Sequence, residues 1–175
     1  MALLISDQTF LNWQKSLSEK KYFRWFWRGV GIYVVALLLV TGVYLLFKNP
    51  KALVLALGAF VFARFVVCGA VRLVYKKSRP YQRIGFSQAG SKFFLSWTSK
   101  RFDSMPSAHA ASLSAISVVF YWFFPLLGLA WIALAFINGI ARVLLGYHDP
   151  EDVIVGWIIG TFSAFLALYL GGAIW

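Results

Sequence analysis

The sequence predicts an all-α fold: a polytopic membrane helical bundle of about five transmembrane helices behind an N-terminal interfacial helix. Three observations support that class. The chain is 61% hydrophobic, with a mean hydropathy of +0.73 and only 13% charged residues. Apolar runs long enough to span a bilayer recur along it. Nothing in it reads as a strand, because open sheet edges cannot sit in hydrocarbon. Its 175 residues fit one domain, 1–175.

Residues 1–28 interleave Phe10, Trp13, Trp25 and Trp27 with Lys15, Lys20, Arg24 and Arg28. The segment is too polar to span, and aromatics beside basic groups suit the membrane interface. It is expected to lie in the membrane plane; an unstructured terminus is the alternative. The first span is Gly29 to Phe47. It lacks a small-residue cleavage pattern and is too long for a signal-peptide core, so it reads as a retained span.

Lys48, Asn49, Pro50 and Lys51 form a tight turn. The second span, about Ala52 to Tyr75, carries Arg64 and Arg72. Residues 76–106 are polar and basic and make the one long loop. The third span starts near Ser107 and ends before Pro125. The fourth covers about Leu126 to Leu145. A polar link, Gly146 to Asp152, leads to the fifth, about Val153 to Leu170. Five spans place the 76–106 loop and the 146–152 link on the same side of the membrane.

Seventeen Lys and Arg face six Asp and Glu, a formal net charge of +11. In a soluble protein that balance would suggest nucleic acid. Here the basic residues flank apolar spans, so membrane lipids are the expected partner and nucleic acid is not. The single cysteine, Cys68, excludes an internal disulfide and a cysteine-rich metal site. Inside an apolar run, it is expected to pack.

Three polar clusters fall at the span ends on that shared side. In the first, Arg72 and Arg79 are seven residues apart and would share one helical face. Pro80 disfavours helix at Arg79 and places it near the helix end. Two guanidiniums there suit a phosphate; they would equally suit snorkelling to headgroups. The second cluster is Ser104-Met105-Pro106-Ser107-Ala108-His109. Ser107 can cap the third span, whose N-terminal N–H groups face an anion. Small Ala108 permits close approach, and His109 could act as a general acid. An ordinary capped helix with a hydrogen-bonded histidine is the competing reading.

The third cluster runs from Arg142 through His148 and Pro150 to Asp152. Pro150 suits the first helical position, and Asp152 in the first turn could reach back to His148. A carboxylate on one imidazole nitrogen fixes the tautomer and leaves the other free to attack. Asp149, Glu151 and Asp152 are also what a helix start favours for its dipole. The combination favours a phosphate site. Both histidines of the chain start spans on one face, with arginines ending the neighbouring spans, and polar groups at membrane depth tend to be functional.

These clusters resemble the signature of the type 2 phosphatidic acid phosphatase superfamily, which also contains the vanadium haloperoxidases. The family pattern is lysine, six residues and Arg-Pro; then Pro-Ser-Gly-His; then Arg, five residues, His, three residues and Asp. It falls here on Arg72 with Arg79-Pro80, on Pro106-Ser107-Ala108-His109, and on Arg142, His148 and Asp152. Two positions depart from it. Arg72 stands where lysine is usual, and Ala108 where glycine is usual.

The resemblance implies a reaction without metal or cofactor. In it His148 is the nucleophile, Asp152 orients it, and His109 protonates the leaving oxygen. Arg72, Arg79, Ser107, the Ala108 backbone and Arg142 hold the phosphoryl oxygens. No carboxylate-rich metal cluster is expected from the sequence, which agrees. Among family members the short chain is most similar to small bacterial undecaprenyl diphosphate phosphatases. Phosphatidylglycerophosphate and phosphatidate phosphatases and lipid phosphotransferases share the signature.

The resemblance also implies a cell-membrane protein with an extracytoplasmic site. The positive-inside rule opposes that side, because Lys15, Lys20, Lys21, Arg24 and Arg28 fall on the face of the site and only Lys48 and Lys51 on the other. Two rival classes remain. A non-catalytic binder of anionic lipids has no use for the His148–Asp152 pair. A vanadate-dependent oxidant is typically soluble.

Overall fold

The computed structural model describes residues 8–83 and 104–174. Residues 84–103, the greater part of the 76–106 loop, and residues 1–7 lie outside them. Among the described residues every regular element is helical: α1 Gln8–Glu19, α2 Lys21–Lys48, α3 Pro50–Val61, a π-helical segment Phe62–Val67, α4 Cys68–Val74, α5 Pro80–Arg83, α6 Ala108–Phe123, α7 Pro125–Leu144 and α8 Pro150–Leu170. The all-α reading holds.

Among the described residues, four stretches are long and apolar enough to cross a membrane: α2, the continuous run Pro50–Val74, α7 and α8. The fifth expected span, α6, is apolar but has only 16 residues. That is about 24 Å, against roughly 30 Å of hydrocarbon. It lies at the centre of the bundle, with eleven of its residues buried between Ala108 and Phe120, so most of its length meets protein rather than lipid tails.

The N-terminal region divides differently from expectation. Lys20 adopts an extended backbone (φ −69°, ψ 114°) and separates α1 from α2. Residues 21–28 then continue into the first span, because no Pro or strong breaker interrupts them. α1 buries Leu11 and Gln14. Gln14 Nε2 donates to the Val143 carbonyl at 2.8 Å, which fixes α1 at the end of the bundle where α7 finishes.

The tight turns follow their chemistry. The Asn49 side chain accepts from Ala52 N at 3.0 Å and caps α3, with Pro50 as its first residue. Phe124 ends α6 and Pro125 opens α7. Gly128 lies against the Tyr121 backbone, leaving no room for a Cβ.

Small residues decide the core. α6 presents Ala108, Ala111, Ser114 and Ala115 to the bundle, and α8 answers with Gly156 and Gly160, one turn apart. A Cβ on Gly156 would stand 2.6 Å from the Ser107 carbonyl oxygen, and one on Gly160 would collide with that of Ala111. Close backbone approach through small residues is how helices associate in lipid, where apolar burial gives little drive. Ser114 Oγ reinforces the contact by donating to Trp157 O at 3.0 Å. Large side chains such as Leu39, Phe47, Ile158 and Phe162 point outward. Buried Cys68 packs in the core, as expected.

Candidate active site

Backbone hydrogen bonds draw the three polar clusters to one end of the bundle. Ser104 N donates to Lys77 O (3.0 Å), Tyr81 N to Gly146 O (3.2 Å) and Ser107 N to Asp152 O (2.8 Å). The shared side deduced from five spans is therefore a physical contact.

His148 sits in the link between α7 and α8. Gly146, with φ 69°, supplies the left-handed residue that ends α7. Tyr147 N and His148 N then both donate to Arg142 O, at 2.9 and 3.3 Å. The imidazole is buried, and its Nδ1 lies 2.8 Å from the Ser104 carbonyl oxygen. A carbonyl only accepts, so Nδ1 carries the proton in this bond and Nε2 keeps its lone pair. Burial holds the imidazole below the usual histidine range. The Asp152 carboxylate opposes that shift, and the Arg79 and Arg142 charges reinforce it.

Asp152 pairs with His148 by charge, and the direct hydrogen bond to Nδ1 belongs to Ser104. Asp152 Oδ2 is 3.6 Å from Nδ1, outside hydrogen-bond range. The Ser104 carbonyl has taken that place. Asp152 Oδ2 instead accepts from Ser104 Oγ at 2.6 Å and from Asp149 N at 3.0 Å. The carboxylate thus braces the residue that holds the histidine, and adds its charge from just beyond.

Lys77 is the residue sequence reasoning missed. Its Nζ reaches Asp149 Oδ2 (2.8 Å), Glu151 Oε1 (2.7 Å) and Asp152 Oδ1 (2.7 Å). Arg83 adds a bidentate grip on Asp149, with Nη2 at 2.6 Å from each oxygen. Burial would lower the Lys77 pKa, but the three carboxylates outweigh it and raise it. A signal was available: three of the six acids of the chain lie within residues 149–152, and carboxylates so crowded need cations. Against the expectation of no carboxylate-rich metal cluster stands one candidate donor set among the described residues. One ligand oxygen from each of Asp149, Glu151 and Asp152 lies within 4.8 Å of the others. The Lys77 ammonium touches all three, so the donor set already has its cation, and the residues do not fit a further metal.

The expected phosphate-binding groups come together around the start of α6. Arg72 Nη2 donates to Pro106 O at 2.7 Å. Ser107 is the N-cap, although its Oγ accepts from Ala110 N at a long 3.5 Å. Ala108 is buried and His109 partly exposed in the first turn. The charges of Arg142, Arg64 and Arg79 all reach His109, as does His148. Arg142 also stacks over the Tyr147 ring at 5.5 Å.

Arg79 arrives by another route than expected. α4 ends at Val74, and Tyr75 is extended (φ −100°, ψ 102°). Arg72 and Arg79 therefore do not share one helix face. Pro80 opens the short α5, and Arg79 N donates to the Gln82 side chain at 3.1 Å. Arg64, which had no expected role, contacts the same α6 start. Its Nη1 lies 3.5 Å from both Ala108 O and Ser112 Oγ.

Comparison with known proteins agrees with this geometry. The family model of the PAP2 superfamily matches residues 52–174. The chain is similar to a lipid A 1-phosphatase of Rhizobium johnstonii, with 31% identity over 70% of this chain and 53% of that protein. It is similar to an undecaprenyl-diphosphatase of Sulfolobus acidocaldarius, with 29% identity over 75% of this chain and 61% of that protein. A bacitracin transport permease protein, BcrC, of Bacillus licheniformis is 34% identical over 38% of this chain and 33% of its own length. The chain spans about half the length of the lipid A 1-phosphatases it matches. No solved structure matches it. Residues 52–174 take in the three polar clusters and the helices from α3 onward, and on that match the chain belongs to the PAP2 superfamily.

Proposed function

We propose that this protein is a multi-pass cell-membrane phosphatase that releases phosphate from a lipid phosphate or diphosphate through a phosphohistidine on His148. The observation behind it is the 2.8 Å contact from His148 Nδ1 to Ser104 O. That bond holds the tautomer in which Nε2 is the nucleophile. Nε2 attacks phosphorus, and the bond to the lipid oxygen breaks. His109 gives that oxygen a proton. Water then attacks the phosphohistidine, with His109 as base, and inorganic phosphate leaves. Arg72, Arg79, Arg142, Ser107 and the Ala108 N–H carry the charge of the phosphoryl oxygens. Asp152 acts on His148 by charge and through Ser104. No step requires a metal.

The substrate that fits best is undecaprenyl diphosphate, dephosphorylated to the monophosphate at the extracytoplasmic face. The likeness to an undecaprenyl-diphosphatase supports it. The likeness to lipid A 1-phosphatases supports a second reading, a phosphorylated glycolipid.

The test is phosphate release by purified protein from undecaprenyl diphosphate, lipid A, phosphatidylglycerophosphate and phosphatidate, with and without EDTA. The wild type is expected to turn over at least one of them in EDTA, most rapidly the diphosphate. His148→Ala should lose about a thousandfold or more. A folded His148→Ala protein with near-wild-type turnover refutes the nucleophile, and complete loss in EDTA refutes metal independence.

A further inference from the structure

We propose that Arg64 forms a second anion subsite, which binds the lipid-proximal phosphate of a diphosphate substrate while the distal phosphate sits at His148. The inference rests on the phosphatase reading above and names the substrate class for that same site.

Arg64 lies in the π-helical segment Phe62–Val67, ten residues before Val74 ends the span. At 1.5 Å per residue that is about 15 Å into the membrane. A cation at such depth is costly unless an anion answers it. None does: among the described residues no carboxylate lies within ion-pair distance of Arg64. Its hydrogen bonds to Ala108 O and Ser112 Oγ are both 3.5 Å, at the outer limit. Ser112 Oγ already donates to Ala108 O at 2.6 Å. The ring of Phe65 stands 5.8 Å from the guanidinium. The charged groups nearest in effect are further cations, Arg72 and Arg142. The π-turn matters because one extra residue per turn rotates the rest of the span, and such turns recur at functional sites.

The order of groups along the span matches the order of groups in a lipid diphosphate. Arg72 stands at the mouth, bonded to Pro106 O. Arg64 is eight residues deeper, about 12 Å along the axis, beside the first turn of α6. One turn deeper again, Phe60 and Leu57 line an apolar cleft of about 420 Å³ between α2, α3 and α6. A substrate with its distal phosphate at His148 and its tail in that cleft passes its lipid-proximal phosphate by Arg64.

The chemistry gives Arg64 a task specific to diphosphates. Attack by His148 Nε2 forms an N–P bond to the distal phosphorus and breaks that phosphorus from the bridging oxygen. The electron pair goes to the bridging oxygen, and a lipid monophosphate leaves. The charge that builds on that oxygen before His109 protonates it spreads over the lipid-proximal phosphate, where a guanidinium stabilises it. With a monophosphate substrate the leaving oxygen belongs to an alcohol, and Arg64 has no phosphate to meet.

The test compares farnesyl diphosphate with farnesyl monophosphate, which share one tail, using purified full-length protein in detergent. The readout is the ratio of kcat/KM for diphosphate over monophosphate. Arg64→Met should lower that ratio about tenfold or more, and Arg64→Lys should restore much of it. An unchanged ratio, or equal losses on both substrates, overturns the subsite while leaving the phosphatase reading intact. If Arg64→Met fails to fold, competition supplies the answer. Methylenediphosphonate should inhibit the wild type more strongly than phosphate does, and that preference should shrink in Arg64→Gln, which keeps a polar side chain without the charge. Equal preference in both overturns the subsite. A wild type that releases phosphate from neither farnesyl compound nor from the lipid panel refutes the phosphatase reading, and the subsite with it.

Discussion

Lys77 Nζ stands 2.7 Å from Asp152 Oδ1, while Asp152 Oδ2 faces His148 Nδ1 at 3.6 Å. One carboxylate therefore links a lysine outside the sequence signature to the proposed nucleophile. Lys77→Ala would leave three carboxylates crowded at a buried helix start. We expect stability to fall by about 3 kcal/mol and kcat to fall about tenfold or more, with Lys77→Arg recovering part of both. Thermal unfolding and single-turnover phosphate release measure the two. Wild-type kcat in Lys77→Ala would show that Lys77 has no bearing on His148.

The pH dependence should track the His148 imidazole. It must be neutral to attack, and burial with the Arg79 and Arg142 charges lowers its pKa. Activity should then persist below the ordinary histidine range as pH falls. Asp152 favours the protonated ring, so Asp152→Asn should move the acid limb of kcat/KM to still lower pH while lowering kcat. An acid limb unmoved in Asp152→Asn would mean that Asp152 only starts α8.

Arg72 spends one arm of its fork on Pro106 O at 2.7 Å. Lysine can supply a charge but not both contacts at once. Arg72→Lys is expected to keep about a tenth of the activity or more, and Arg72→Ala about a hundredth or less, in steady-state assays. Equal losses would show that the fork itself is required. No loss in either would make Arg72 a headgroup contact.

Gly156 couples the packing of α8 to the site. A Cβ there meets Ser107 O at 2.6 Å and Ala110 Cβ at 2.9 Å. Gly156→Ala should destabilise by about 1–3 kcal/mol and reduce kcat by displacing Ser107. Gly58, in α3, has nothing within 4 Å of its would-be Cβ. Gly58→Ala should be neutral or stabilising. Comparable melting temperatures for the two variants would contradict the α6–α8 contact.

The side of the membrane can be read chemically. In a Cys68→Ala background, a cysteine at Ser91 should react with an impermeant thiol reagent in intact cells. The likeness to an undecaprenyl-diphosphatase favours that outcome. The five basic residues before Gly29 oppose it. Labelling only after permeabilisation would place the site in the cytoplasm and favour a substrate of the inner leaflet.

The all-α class, the order of the helices and the shared end of the three clusters are legible in the amino-acid order alone. Apolar run lengths, and the two crossings that separate the 76–106 loop from the 146–152 link, give those without any contact between helices. The sequence also placed His109, His148, Asp152 and Ser107 at helix starts, because Pro, Ser and Asp act locally. Which side chains touch depends instead on how the helices pack. Ser104 O takes the hydrogen bond at His148 Nδ1 and Asp152 stands behind it as an ion pair, because the segment of chain before α6 runs beside the start of α8. Lys77 became the cation of three carboxylates because α4 ends at Val74, and the freed chain carries the ammonium across to residues 149–152. Arg64 entered the site because a π-turn and the close α6 packing bring it beside Ala108 and Ser112. Those pairings join residues 44 to 75 positions apart in sequence, a separation at which local periodicity carries no information.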